Sequence, residues 1–293
     1  MQRHPAFMPI VVTLLGIAML SLMDAFMKGA SLAIGAYSAA WLRAAIGLAV
    51  IAPAWLVAGG RWPTRKVLRL HLLRGVVSTF MALTFFIALT KLPLAETIAI
   101  SFVAPIVSLF LAALLLGEQV RRRAITGSVL GLAGTLVIIG GRLGSGRLDD
   151  DALLGLGSIV LSALLYAWNL VLQRQQALVA KPAEVATFHC GVATLVLGLA
   201  APFMLVLPDL PTLGHLGIAA LLTVGGAMVM SWAYARAEAQ LLVPFEYSAF
   251  LWATLFGWLF FAEEIRLPTL AGTALIVIGC WIASRKPTEQ SAI

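Results

Sequence analysis

Isolated charges inside long apolar stretches are the first residues able to do chemistry here. Asp24 and Lys28 stand four apart with the carboxylate first, the favourable order for an ion pair on one helix. A bland pair is the expected role for both, with Asp24 also a candidate proton carrier. Arg43 could meet a substrate carboxylate, extend towards an interface or pair with Asp24, and the structural role is the expected one. Glu246, beside Tyr247, could hold an ammonium group or accept a coupling proton. The same position also suits a carboxylate that only complements a helix N-terminus. Glu118 and Glu263 close apolar segments, where a carboxylate opposes the helix dipole and needs a partner. Arg121, Arg122 or Arg123 is the expected partner of the first and Arg266 of the second, so both glutamates read as structural or gating residues.

Polar aromatics, a proline and hydroxyls form the second group. Pro105 falls mid-segment and deprives the Ser101 carbonyl of its helical donor. A free carbonyl in lipid survives only against protein or a watery cavity, which points Ser101, Phe102 and Pro105 inwards. Tyr166, Trp168 and Asn169 sit too deep for an interfacial aromatic belt. Tyr166 and Asn169 share one helix face, Trp168 points about 100° per residue away, and only one direction can face a cavity. Tyr234 and Tyr247 are further candidate ligands. Ser78 and Thr79 serve equally as cavity lining or helix glue. His189 reads as a packing residue, counted as the only histidine within a span.

Other chemistries find little support. Hydrolysis would need a deep Ser/His pair, a carboxylate pair or a metal cluster. His189 has no obvious nucleophile in a Gly-x-Ser-Gly setting within a span, no two deep carboxylates form a pair, and the Gly-rich phosphate loop of nucleotide-driven pumps is missing. Cys190 and Cys280 lie in apolar runs without metal or disulfide spacing. No enzyme activity, cofactor or metal is expected.

The elements that must position these residues follow from composition. Of 293 residues, 61% are apolar and 11% charged, and the mean hydropathy is +0.99. A soluble domain carries about 25% charged residues, so a polytopic all-α membrane protein is expected. The net charge of +7 fits basic loops on one membrane face and implies no nucleic-acid partner. Ten spans are expected, near 9–30, 36–58, 70–90, 94–116, 124–141, 152–173, 184–207, 213–235, 242–261 and 267–284. With the N-terminus inside, fourteen Lys and Arg, Arg74 among them, fall on the cytoplasmic side and five outside. That bias places both termini in the cytoplasm.

An offset of 145 residues aligns Lys91 with Arg236, Glu118 with Glu263, Arg121 with Arg266, Gly127 with Gly272 and Gly134 with Gly279. Five spans per copy is an odd number, so the copies would enter the membrane oppositely, as 1–146 and 147–293. Inverted repeats characterise secondary transporters, with substrate held between the copies. Ten spans, this repeat and a (Gly/Ala)-Glu closing the fourth span of each half resemble the drug/metabolite transporter superfamily, EamA type. The Pro105-to-Glu118 spacing matches that family, whereas Phe250 and Ala262 depart from it in the second half. Within the superfamily the chain looks most similar to the YddG-like branch of bacterial inner-membrane amino-acid exporters. The resemblance implies a central cavity, alternating access and export of neutral or aromatic amino acids and methionine. Nucleobases, amphiphiles or other metabolites are the alternative cargo. The expected partners are that substrate and the lipid bilayer, the chain acting as a monomer or weak homodimer, with Gly127-xxx-Gly131 as a weak dimer signal.

Overall fold

The computed structural model describes residues 7–104, 107, 111, 122–143, 150–177, 179–234, 236, 245 and 248–284. Among the described residues ten helices correspond to the expected spans: α1 (Phe7–Ile34), α2 (Ala36–Val57), α3 (Arg65–Lys91), α4 (Leu94–Ser101), α5 (Arg122–Leu143), α6 (Asp150–Ala177), α7 (Pro182–Gly198), α8 (Leu210–Tyr234), α9 (Ala249–Phe261) and α10 (Leu267–Ser284). Five of them, α1, α2, α3, α6 and α8, are long and apolar enough to cross a bilayer by length and composition.

Local chemistry explains where the helices depart from expectation. The seventh span ends early, at Gly198, and Pro202 opens a separate single turn, Ala201–Met204. One residue, Gly35, joins α1 to α2 at φ 82°, a left-handed conformation that suits glycine. The fourth span is interrupted. Regular α-helix stops at Ser101, and the amides of Phe102 and Val103 bond three residues back, to Ala99 and Ile100. This tightened turn lies just before Pro105, which disfavours helical geometry in the residue it follows. The ninth span is interrupted at the equivalent place, where the Ser248 amide bonds three residues back to Phe245 before α9 begins.

The helices pair across the two halves. α1 packs on α8, α3 on α6, α2 on α7, α4 on α9 and α5 on α10. Exchanging the halves turns the α1–α8 pair into α6–α3 and returns the other three pairs to themselves. The α5–α10 crossing is antiparallel. A Cβ at Gly134 or at Gly272 would lie 2.4 Å from the other's carbonyl oxygen, and one at Gly279 would lie 2.6 Å from that of Gly127. The glycines that the 145-residue offset aligns thus contact each other's counterparts. The Gly127–Gly131 face, read above as a weak dimer signal, is occupied by α10 of the same chain. Gly272→Val is expected to cost about 1–3 kcal/mol through overpacking and to lower the melting temperature in detergent. Gly157→Val, whose Cβ would have open space, should not.

Burial is uneven along the bundle. The largest apolar cluster, including Met27, Ala39, Phe86, Leu94, Leu216 and Ala253, fills the end that carries the 34–36, 91–94 and 261–267 connections. Towards the opposite end the clusters are small: Ile51 with Ala186, Cys190 and Val224, and Ala104 with Ala163 and Ala167.

Candidate functional site

Polar groups break the apolar interior at three depths. At the middle, Asp24 lies ten residues before the end of α1, about 15 Å, or half of a ~30 Å hydrocarbon core. It is nine residues, 180° around the helix, from the exposed Leu15, so its half-buried carboxylate faces inwards. Arg43 on α2 is 6% exposed, and its charge bears on Asp24. Its Nη1 donates to Thr223 Oγ1 on α8 at 2.9 Å, and its guanidinium lies 5.5 Å from the Phe86 ring centroid. Arg43 Nε has no hydrogen-bond partner and no carboxylate approaches within ion-pair distance among the described residues. Nearby, Ser78 Oγ and His189 Nδ1 are 3.1 Å apart, joining α3 to α7. Four helices of the first and second halves thus meet around one guanidinium.

A second group ties α3 to α6 and α7. Asn169, Gln173 and Gln176 recur at i, i+4 and i+7, one face of α6. Their side-chain oxygens accept from the three nitrogens of Arg74: Nε to Asn169 at 3.2 Å, Nη2 to Gln173 at 3.2 Å and Nη1 to Gln176. Gln176 Nε2 then faces His71 Nδ1, and His71 Nε2 lies 3.0 Å from Glu184 Oε1. One donor direction satisfies every member if His71 carries its proton on Nε2. Phe188 stacks on the imidazole at 4.6 Å.

The third group sits at the densely packed end. Lys28 donates to the Leu92 carbonyl at 2.8 Å and to Glu263. The other Glu263 oxygen accepts the Leu94 amide at 2.8 Å. The ion pair therefore captures both groups left open at the α3–α4 corner, the amide being the first of a helix whose N-terminus favours an anion. Ala262 turns the chain into this contact at φ 50°. Glu96, 4% exposed, accepts from Thr269 Oγ1 at 3.3 Å on α10. A cavity of about 10 Å³ opens beside these two, room for one water.

These contacts correct several expectations. Lys28 pairs with Glu263, not with Asp24, because its long stem reaches the α3–α4 corner. Arg266 is accordingly not the partner of Glu263. Arg43 is enclosed and does not extend to an interface. Trp168, 38% exposed, lies on the outer stripe with Leu161 and Leu164, whereas Asn169 faces inwards to Arg74. Tyr166 packs beside Ala104, Ala163 and Ala167. Ser78 and Thr79 both bond back to the Gly75 carbonyl. Ser101 Oγ bonds to Thr97 O at 3.0 Å, and Phe102 joins the large core. His71 and His215 also lie within helices, so His189 is not alone. Arg74, counted above as a loop charge, belongs inside α3. Glu96, His71 and Gln176 were missed altogether; the polar stripe Asn169–Gln173–Gln176 was the available signal. Pro105, Glu118, Glu246, Tyr247 and the Tyr234 side chain lie outside the described residues.

Two sets of apolar helices, interrupted at equivalent positions and enclosing charged groups between them, define a multi-pass membrane transporter built from duplicated halves. The chain belongs to the EamA-like transporter family, which matches residues 7–140 and 153–285, that is, α1–α5 and α6–α10. It is a transporter and not an enzyme. It is 29% identical over 273 residues to the pseudopaline exporter CntI of Pseudomonas aeruginosa, covering 90% of this chain and 92% of that one. A riboflavin transporter of Rhizobium johnstonii is 28% identical over 210 residues, 71% of this chain and 67% of that one. The aromatic amino acid exporter YddG of Ancylobacter novellus is 30% identical over 106 residues, 36% of each chain. The likeness to the YddG-like branch is therefore partial, and the family is the level that holds across the chain. One solved crystal structure shares the fold with a TM-score of 0.64 at 24% identity, over 93% of this chain and 96% of the other.

Proposed function

We propose that this transporter exports α-amino acids, neutral and aromatic ones and methionine among them, by alternating access between two inverted halves. One observation carries the substrate class: Arg43 is enclosed at mid-depth with an unpartnered Nε and no contacting carboxylate among the described residues, and a half-buried Asp24 faces inwards at a similar depth. A charge enclosed in a membrane bundle is costly unless paired. A zwitterion supplies both missing partners, its carboxylate at Arg43 and its ammonium at Asp24.

The antiparallel α5–α10 crossing supports inversion of the halves, since parallel copies would place equivalent helices side by side in the same direction. The Lys and Arg bias supports cytoplasmic termini in a bacterial inner membrane. In that orientation the densely packed, Lys28-latched end faces outwards. Counterflow in proteoliposomes without ATP tests the reading. Methionine, phenylalanine and glutamine should exchange with internal label, while nucleobases and riboflavin should not. Exchange of riboflavin or a nucleobase with no exchange of any amino acid would sink it.

A further inference from the structure

Arg74 has a chemistry that a neutral amino acid does not use. Its guanidinium carries five N–H groups. Three are engaged, one each by Asn169, Gln173 and Gln176, and all three acceptors are uncharged amide oxygens. Among the described residues no carboxylate lies within ion-pair distance. Glu184 is separated from it by Gln176 and His71. Amide oxygens orient a guanidinium without neutralising it. Arg74 remains half-buried and faces away from the exposed stripe of Leu72, Leu73 and Val76. One N–H remains on Nη1 and one on Nη2, and each can donate to a carboxylate oxygen. Ser78, one turn along α3 from Arg74, contacts His189, and Gly47, one turn along α2 from Arg43, packs on Cys190, so both arginines border the same stretch of α7.

We infer that Arg74, oriented by Asn169, Gln173 and Gln176, is a second anion subsite that receives a further carboxylate of the substrate. The inference rests on the amino-acid reading above and extends it to acidic amino acids. Amide oxygens suit this task, because they hold the guanidinium between cycles yet compete weakly with an arriving carboxylate. A permanent acidic partner would fill the subsite and exclude the cargo.

The test is proteoliposome exchange of aspartate, glutamate and 2-aminoadipate against glutamine, a series in which chain length reports the reach to Arg74. Wild type should exchange at least one of the three faster than glutamine. Arg74→Gln should lower that acid-to-glutamine ratio at least tenfold. Gln173→Glu should do the same with the arginine still present, by placing a carboxylate on it. If Arg74→Gln fails to fold, Gln173→Glu decides the matter. An unchanged ratio in a folded Gln173→Glu protein, or a wild type that moves only neutral amino acids, overturns the subsite and leaves the amino-acid reading standing. Absence of exchange for every amino acid overturns both.

Discussion

Arg43→Gln is expected to reduce amino-acid exchange on the order of a hundredfold. A hydrogen bond to a charged group contributes about 1.5–3 kcal/mol, roughly a ten- to 150-fold change in binding. The same substitution leaves Asp24 in the bundle without its positive neighbour, so lower stability accompanies it. Asp24→Asn combined with Arg43→Gln separates the two effects. The double variant should recover its melting temperature, because no lone charge remains, and should still fail to transport, because neither partner of the zwitterion is present. Recovery of transport in the double variant would reduce Arg43 and Asp24 to a structural pair. Trp281→Ala, on the exposed face of α10, should transport at nearly the wild-type rate.

Lys28→Met is the substitution with the largest expected effect on stability. It strands Glu263, whose side chain is 17% exposed, and breaking a buried pair from one side costs about 3–5 kcal/mol. For a protein of this size that corresponds to a fall in melting temperature on the order of 10 °C. Glu263→Gln added to Lys28→Met should restore most of the loss. It should also loosen the densely packed end. Ser31, 3% exposed on α1 at that end, supplies the reporter. As Ser31→Cys it should resist a membrane-impermeant thiol reagent in the latched protein and react when both latch residues are changed. Equal reactivity in the two backgrounds would show that the pair holds the corner without sealing the end.

The ten-helix framework was legible because a crossing helix needs a long apolar run, and that requirement is written continuously along the chain. The repeat was legible because Gly127, Gly134, Gly272 and Gly279 serve one close crossing, where a side chain would collide with backbone. The polar interior was legible only in part. Arg74 lies ten residues into α3, yet a positive-charge count treats every arginine near a span end as loop. Glu96 hides for a similar reason, since a carboxylate in the first turn of an apolar helix looks like a cap. Lys28 shows a different limit. Its neighbour in sequence is Asp24, but its partner is 235 residues away, and four-residue spacing says nothing about which way a long side chain leans. Trp168 and Asn169 differ by one position and face opposite environments, a choice fixed by which side of α6 meets α3.

The captured α3–α4 corner has a kinetic consequence. Under the 145-residue offset Lys28 corresponds to Gln173, so the repeat does not encode a second lysine for the same ionic clasp at the opposite end. In the proposed orientation the clasped end is the outer one, and a difference of only about 1.4 kcal/mol between the two closures would give a tenfold preference for keeping it shut. A passive carrier cannot use such a preference to alter the final concentration ratio. The preference sets which leg of the cycle limits turnover. In the proposed orientation uptake must first wait for the clasp to part, whereas loading from the cytoplasm does not, so initial rates in the two directions should differ even where the gradients are equal.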